Sequence, residues 1–250
     1  MEPLTRQGAA EAALVASIAV FHVVDHELVH ERWHVLTHAS AGLVAGGAAL
    51  ALGATVDDLG WSPADAGRGL RTGGLLAAGI LASFGVVAAL PASDPLLADP
   101  RVDDARRREL ARQALLDIPI GTAVYEELVF RSALLGLALR RFPPPVAVGV
   151  TSAIFGLWHV LPAIEDRRRD ERVAARPVAS TVVPTVVGTA VAGVGFALLR
   201  LRTRSVLAPI LVHAATNVGA LAASGATRRR RRRAAPVPGR DDGRTVGSAP

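Results

Sequence analysis

The chain has 250 residues, no cysteine and no lysine; its 28 basic side chains, all arginine, outnumber 22 acidic ones and give a formal charge of +6. Half of it is apolar, only 4% is aromatic, and the mean hydropathy is +0.34, a composition that suits a helical membrane protein built on small residues. The lack of cysteine excludes disulfides, thiolate nucleophiles and cysteine-ligated metal, and arginines gathered in short connections and the C-terminal tail read as orientation signals rather than a nucleic-acid surface.

In chain order, residues 9–24 are apolar but shorter than the roughly 20 residues a span needs, so they cross only if their helix runs on through His26. No small-residue cleavage site follows them, which argues against a removable signal peptide. His22, His26, His30, His34 and His38 then recur at four-residue intervals. If one helix carried them, adjacent members would drift by about 40° and could share a metal or sense pH. The interleaved Asp25, Glu27, Glu31 and Arg32 favour the plainer reading, a polar connection in which histidines partner acids.

Residues 36–55 form a clearer Ala/Gly-rich span, 56–71 a polar connection, and 70–90 the next span, closed by Pro91. A charged stretch, 91–112, holds a surface helix at 102–112. The apolar segment 115–139 follows, then spans at 146–164, 178–201 and 206–223. Gly188, Gly193 and Gly195 mark a close packing face, and Pro209 sits near the start of the last span, where it can bend the segment. The expected fold is therefore all-α, a polytopic transmembrane bundle of six to seven spans, about seven. The C-terminus is placed in the cytoplasm by the arginine share of 91–112, 165–176 and the tail.

The segment 115–139 carries three charges, Glu126, Glu127 and Arg131. A charge at mid-bilayer costs about 2.5–3.5 kcal/mol even on lenient scales, so such residues are functional candidates. Glu127 and Arg131, four apart, share a helix face and can pair; Glu126, about 100° round from Glu127, has no such partner in its own helix. One carboxylate is thus neutralised locally and the other is free to face a cavity. Two further spans each carry a histidine with a companion four residues away: Phe155 with His159, and His213 with Asn217. Glu, His, His and Asn on three separate spans must face one another or water. Glu126 could serve as a base and His159 could orient a water, with His213 and Asn217 as donors to a developing oxyanion.

On these three motifs, Glu126-Glu127-x-x-x-Arg131, Phe155-x-x-x-His159 and His213-x-x-x-Asn217, the chain resembles the CPBP (Abi, CaaX-protease-like) intramembrane peptidases. The likeness covers roughly residues 113–223. It implies an endopeptidase in which Glu126 and His159 activate water and His213 and Asn217 stabilise the oxyanion, with Glu127, Arg131 and Phe155 in support. The same family is often labelled metalloprotease. Glu126, His159 and His213 could ligate zinc or another divalent metal with water in the fourth position, but a His-x-x-x-Asn pair is not a usual zinc pattern, and a metal-free mechanism is favoured.

The expected organisation is then 1–112, N-terminal helices outside the motif core; 113–223, the peptidase core; and 224–250, a disordered arginine-rich tail. The chain is expected in the cell membrane as a multi-pass protein, acting on a hydrophobic or lipid-modified peptide. Anionic lipid is expected at Arg228–Arg233, and no nucleic-acid partner. The competing reading from another class is a non-catalytic binding, immunity or scaffold protein of the same fold; a transporter is disfavoured because no inverted repeat is visible.

Overall fold

A computed structural model describes residues 2–169 and 171–234; within these, the side chains of residues 2–6, 26, 31, 100, 104, 169, 171 and 172 lie outside the described set, as do residues 235–250 of the tail. The described residues are helical with no strand. Helix α1 (Glu2–Leu28) does run through His26, giving the length that 9–24 alone lacks. A single turn, Glu31–Trp33, separates it from α2 (His34–Ala51). The histidine series is therefore split between two helices and the turn joining them. Helix α3 (Pro63–Ala89) starts with proline in its first turn, where the missing N–H costs nothing.

After the connection 90–106, an unbroken helix α4 spans residues 107–139 with changing pitch. It is α at Arg107–Arg112, π at Gln113–Val124, α at Tyr125–Glu127, π at Leu128–Leu134 and α at Leu135–Leu139. The regular 3.6-residue geometry expected around the glutamates thus holds only for the short turn that bears them, and the surface helix at 102–112 is in part the first turns of α4. Pro119 lies inside the first π stretch, where it removes a donor and its ring crowds the preceding turn.

The span expected at 146–164 breaks at His159 into α5 (Pro144–Trp158) and α6 (Val160–Arg169). Helices α7 (Ala179–Thr203) and α8 (Leu207–Ala234) complete the bundle. Five stretches, Gln7–Asp25, Pro63–Ala89, Pro144–Arg168, Ala179–Thr203 and Leu207–Ala234, are long and apolar enough to cross a membrane by length and composition. The other two expected spans are present as helix, α2 with 18 residues and α4 with its changing pitch.

Leu75, Leu76 and Val86 of α3 and Val183, Val187 and Val191 of α7 point outward, as lipid-facing side chains would. Inside, helices approach on small residues. Helix α3 lies along α8, and a Cβ on Gly73 would come within 2.7 Å of the Ala208 backbone. Of the three glycines expected to mark a packing face on α7, only Gly193 does so; Gly188 and Gly195 face open space.

The connections gather at two ends of the bundle. At one end Arg101 bridges Asp99 and Asp166. There α8 continues as helix through all six arginines, where a disordered tail was expected. Arg228 donates to Val102 and Ala105 carbonyls, Arg231 meets Asp103 at 2.7 Å, and Arg230 grips Asp94. The hydrogen bond from Arg230 holds the Asp94 carboxyl below its ordinary pKa, so this lock loosens only as pH falls through the acid range. At the other end the 52–62 connection, read in sequence as merely polar, is driven into the core. Leu59 is fully buried, Ser132 donates to its carbonyl at 2.8 Å, and Val206 N–H bonds Gly60 O at 3.0 Å. Buried Arg200 reaches the Asp57 and Asp58 carbonyls from α7.

Candidate active site

The α turn Tyr125–Glu127 projects two carboxylates into the bundle, Glu127 with no exposure and Glu126 at 7%. Glu127 takes the partner its spacing implied: Oε1 lies 3.2 Å from Arg131 Nη1. The same oxygen also accepts from His213 Nδ1 at 2.9 Å, so Glu127 joins α4 to α8. With Nδ1 bound to Glu127, the other ring nitrogen of His213 faces Glu126, with Nε2 3.8 Å from Oε2. That gap exceeds a hydrogen bond, and Glu126 Oε2 is buried with no hydrogen-bond partner among the described residues. The acid at 126 therefore points at the His213 imidazole and remains unspent.

Arg131, itself buried, is enclosed by rings: its guanidinium lies 4.0 Å from the Phe155 centroid, 5.1 Å from Phe196 and 5.8 Å from Phe130. These faces solvate a cation that water does not reach. Phe196 also stacks on His213, 5.0 Å and 19°, which fixes the imidazole plane. Sequence reasoning missed Phe196; its only signal was a lone aromatic in an Ala/Val/Gly helix, one turn from Gly193. A Cβ on Gly193 would sit 3.1 Å from Arg131 Nη2 and 3.2 Å from Phe155 and Ser152. Gly193→Leu is therefore expected to displace Arg131 and destabilise the protein by about 1–3 kcal/mol, measured as a lowered thermal midpoint in detergent, whereas Gly188→Leu, facing open space, leaves it unchanged.

His159 occupies the break between α5 and α6, half-buried, and its Nδ1 donates to Phe155 O at 2.8 Å. A carbonyl only accepts, so Nδ1 carries the hydrogen and Nε2 keeps a lone pair. His159 meets His213 through the Phe155 ring, which lies edge-on to both at 4.7 and 6.2 Å. Asn217 follows His213 by one turn of α8, half-buried and without a hydrogen-bond partner among the described residues. Glu126, Glu127, Arg131 and His213 are thus in direct register, with Phe155 linking His159 to them. Direct contact of His159 or Asn217 with Glu126 is not part of the arrangement. Tyr125 O–H and Ser152 Oγ, also buried without partners, adjoin it.

The residues do not fit a metal centre. Among the described residues no three His, Asp or Glu side chains form a group that could hold an ion. Glu127 is taken up by Arg131 and His213. A cavity of about 450 Å³ lies further along α8, lined by Phe84, Leu96, Leu97 and Ala220 with Arg101 and Asp166 at its polar side. None of the motif residues lines it.

Residues 111–219 match the family model of the Type II CAAX prenyl endopeptidase Rce1-like proteins. Comparison with curated proteins and with solved structures found no match. The matched segment contains all three motifs and stops short of α1–α3 and of the arginine run. The buried Glu–Glu–Arg–His cluster lies inside the matched residues, and over that segment the chain is similar to the Rce1-like CAAX prenyl endopeptidases.

Proposed function

We propose that the chain is an intramembrane endopeptidase that hydrolyses a peptide bond with a water activated by Glu126 and His159. The observation that carries this reading is the buried, unspent Glu126 carboxylate facing His213 across 3.8 Å. Charge balance supports it. With Glu127 and Arg131 cancelling, one proton on either Glu126 or His213 makes the set neutral, whereas a second net charge would be costly in the bundle. In this mechanism Glu126 starts as the carboxylate and His213 presents an N–H at Nε2.

Glu126 then takes one proton from water, while His159 Nε2, with its free lone pair, accepts a hydrogen bond from the other. The water oxygen adds to the substrate carbonyl carbon. The oxyanion receives hydrogen bonds from His213 Nε2–H and the Asn217 amide. The C–N bond breaks as Glu126 returns its proton to the leaving amine, giving an amine and a carboxylic acid that loses its proton to solvent on release. No covalent enzyme intermediate and no metal enters these steps.

Ala220 and Ser224, which line the 450 Å³ cavity, follow Asn217 on one face of α8 by three and seven residues. An apolar or lipid-modified substrate lying in that cavity would have its scissile bond one to two turns from Asn217. The matched family is named for endopeptidase action on prenylated CAAX substrates, and a prenylated peptide is the first reporter to try.

The test uses the protein reconstituted in liposomes with a fluorogenic prenylated CAAX-type peptide. His159→Ala should lower turnover about 10²–10⁴-fold and Asn217→Ala about 10²–10³-fold, with membrane insertion intact. Wild-type turnover in both variants would rule out the mechanism.

A further inference from the structure

The histidine series of the N-terminal helices lies outside the matched segment, yet it closes on the two helices that carry the water-activating pair. His38 on α2 has an acceptor at each ring nitrogen. Its Nε2 lies 2.7 Å from Asp25 Oδ2, and its Nδ1 is hydrogen-bonded to the carbonyl of Gly121, in the π stretch one turn before Glu126. Since a carbonyl cannot donate, Nδ1 is a fixed donor, and one proton is shared between Nε2 and Asp25. Asp25 is buried at 2% exposure and is held from two other sides: Thr37 Oγ1 donates to Oδ1 at 3.3 Å, and His34 Nε2 lies 3.7 Å from Oδ2. The His38 ring stacks on Tyr125, the residue before Glu126, at 4.4 Å and 26°.

The second contact repeats the first on another helix. His22 of α1 stacks on Trp158 at 3.6 Å and 22°, and its Nε2 lies 3.0 Å from Trp158 O. Trp158 is the last residue of α5 and immediately precedes His159. Carbonyls at a helix C-terminus lack N–H donors within the helix, so a hydrogen bond donated by His22 Nε2 caps α5 where His159 begins. Phe21, beside His22, meets Tyr125 edge-on at 5.9 Å, and Tyr125 lies 6.1 Å from Trp158. One helix end therefore reaches both chain segments.

We propose that His38 and His22 are positioning residues: they bond the Gly121 and Trp158 carbonyls just upstream of Glu126 and His159, and so set these two groups in register from outside the matched segment. The proposal rests on the assignment of Glu126 and His159 made above. It explains why a histidine-rich, acid-bearing segment is kept in an otherwise apolar N-terminal half, and why the π stretch stops where it does: the Gly121 carbonyl is drawn toward a side chain of α2 rather than left wholly to its own helix.

The experiment compares alanine with near-isosteric variants in the full chain in liposomes. Asparagine places an amide N–H where His38 has Nδ1, and glutamine places one where His22 has Nε2. His38→Ala and His22→Ala should each lower kcat for the prenylated CAAX-type peptide by about 10–100-fold with KM within about twofold, because misplacement of about 1 Å is enough for such losses. His38→Asn and His22→Gln should recover most of that loss. Hydrogen exchange, read independently of cleavage, should show faster exchange of amides 122–127 in His38→Ala and recovery in His38→Asn. Near-wild-type kcat in both alanine variants, beside a dead Glu126→Gln, would overturn the proposal. So would loss of kcat that tracks a fallen thermal midpoint and is not rescued by the isosteres. If Glu126→Gln itself cleaves normally, or no cleavage of the peptide is seen, the peptidase reading fails first, and unchanged exchange at 122–127 in His38→Ala then rejects the positioning role on its own.

Discussion

Glu126→Gln is expected to reduce peptide turnover by about 10³-fold or more while leaving insertion and thermal stability close to wild type. The side chain keeps its volume and loses only its capacity to take a proton, a role that contributes about 10²–10⁴-fold in such reactions. Stability should hold because Glu126 has no hydrogen bond to lose: His213 Nε2 lies 3.8 Å away, and Oε2 stands unpartnered among the described residues. Neutralising it leaves Glu127 still bonded to both Arg131 and His213. Single-turnover cleavage by the reconstituted protein reads the chemistry, and peptide retained by the glutamine variant identifies the substrate. Turnover within threefold of wild type would remove Glu126 from the mechanism.

Glu127→Ala should behave differently, with loss of fold and function together. Arg131 is 2% exposed, and Glu127 is the only carboxylate within ion-pair distance among the described residues. Removing one member of a buried pair leaves an uncompensated charge and costs about 3–5 kcal/mol. For a chain of this size the thermal midpoint should fall by roughly 10 °C. The double variant Glu127→Gln with Arg131→Met, which removes both charges, should regain most of that stability. It should not regain cleavage, because His213 would lack the carboxylate that fixes its Nδ1–H. A Glu127→Ala protein as stable as wild type would show that the pair does not anchor α4 to the bundle.

Helical spacing made some of this legible in advance. An offset of four between Glu127 and Arg131 was enough to pair them, because the angular offset stays small in α and π turns alike. Charges in an apolar segment marked the site, and the acids among the N-terminal histidines implied their partners, as Asp25 with His38 and His34 bears out. The pitch of α4 was not legible: an apolar run with one proline fits α or π, and neighbouring helices decide between them. Nor was Phe196, whose value comes from facing His213 and Arg131 across two other helices. The arginine run was read by composition as a solvated tail. It is helical because Asp94, Asp103 and the carbonyls of Val102 and Ala105 lie within reach of its guanidinium groups.

The inward loop at Leu59 bears on how the chain can be divided. Its backbone carbonyl is tied to Ser132 in α4, its neighbour Gly60 to Val206 at the head of α8, and Arg200 in α7 depends on the Asp57 and Asp58 carbonyls. Every one of those tethers joins the first hundred residues to the segment that matches the family. Excising 111–219 would strip a buried guanidinium and a buried hydroxyl of their acceptors and open a leucine-sized hole beside α4. The recognised portion is half of a cooperative unit, and its boundaries mark sequence likeness rather than a piece able to stand by itself.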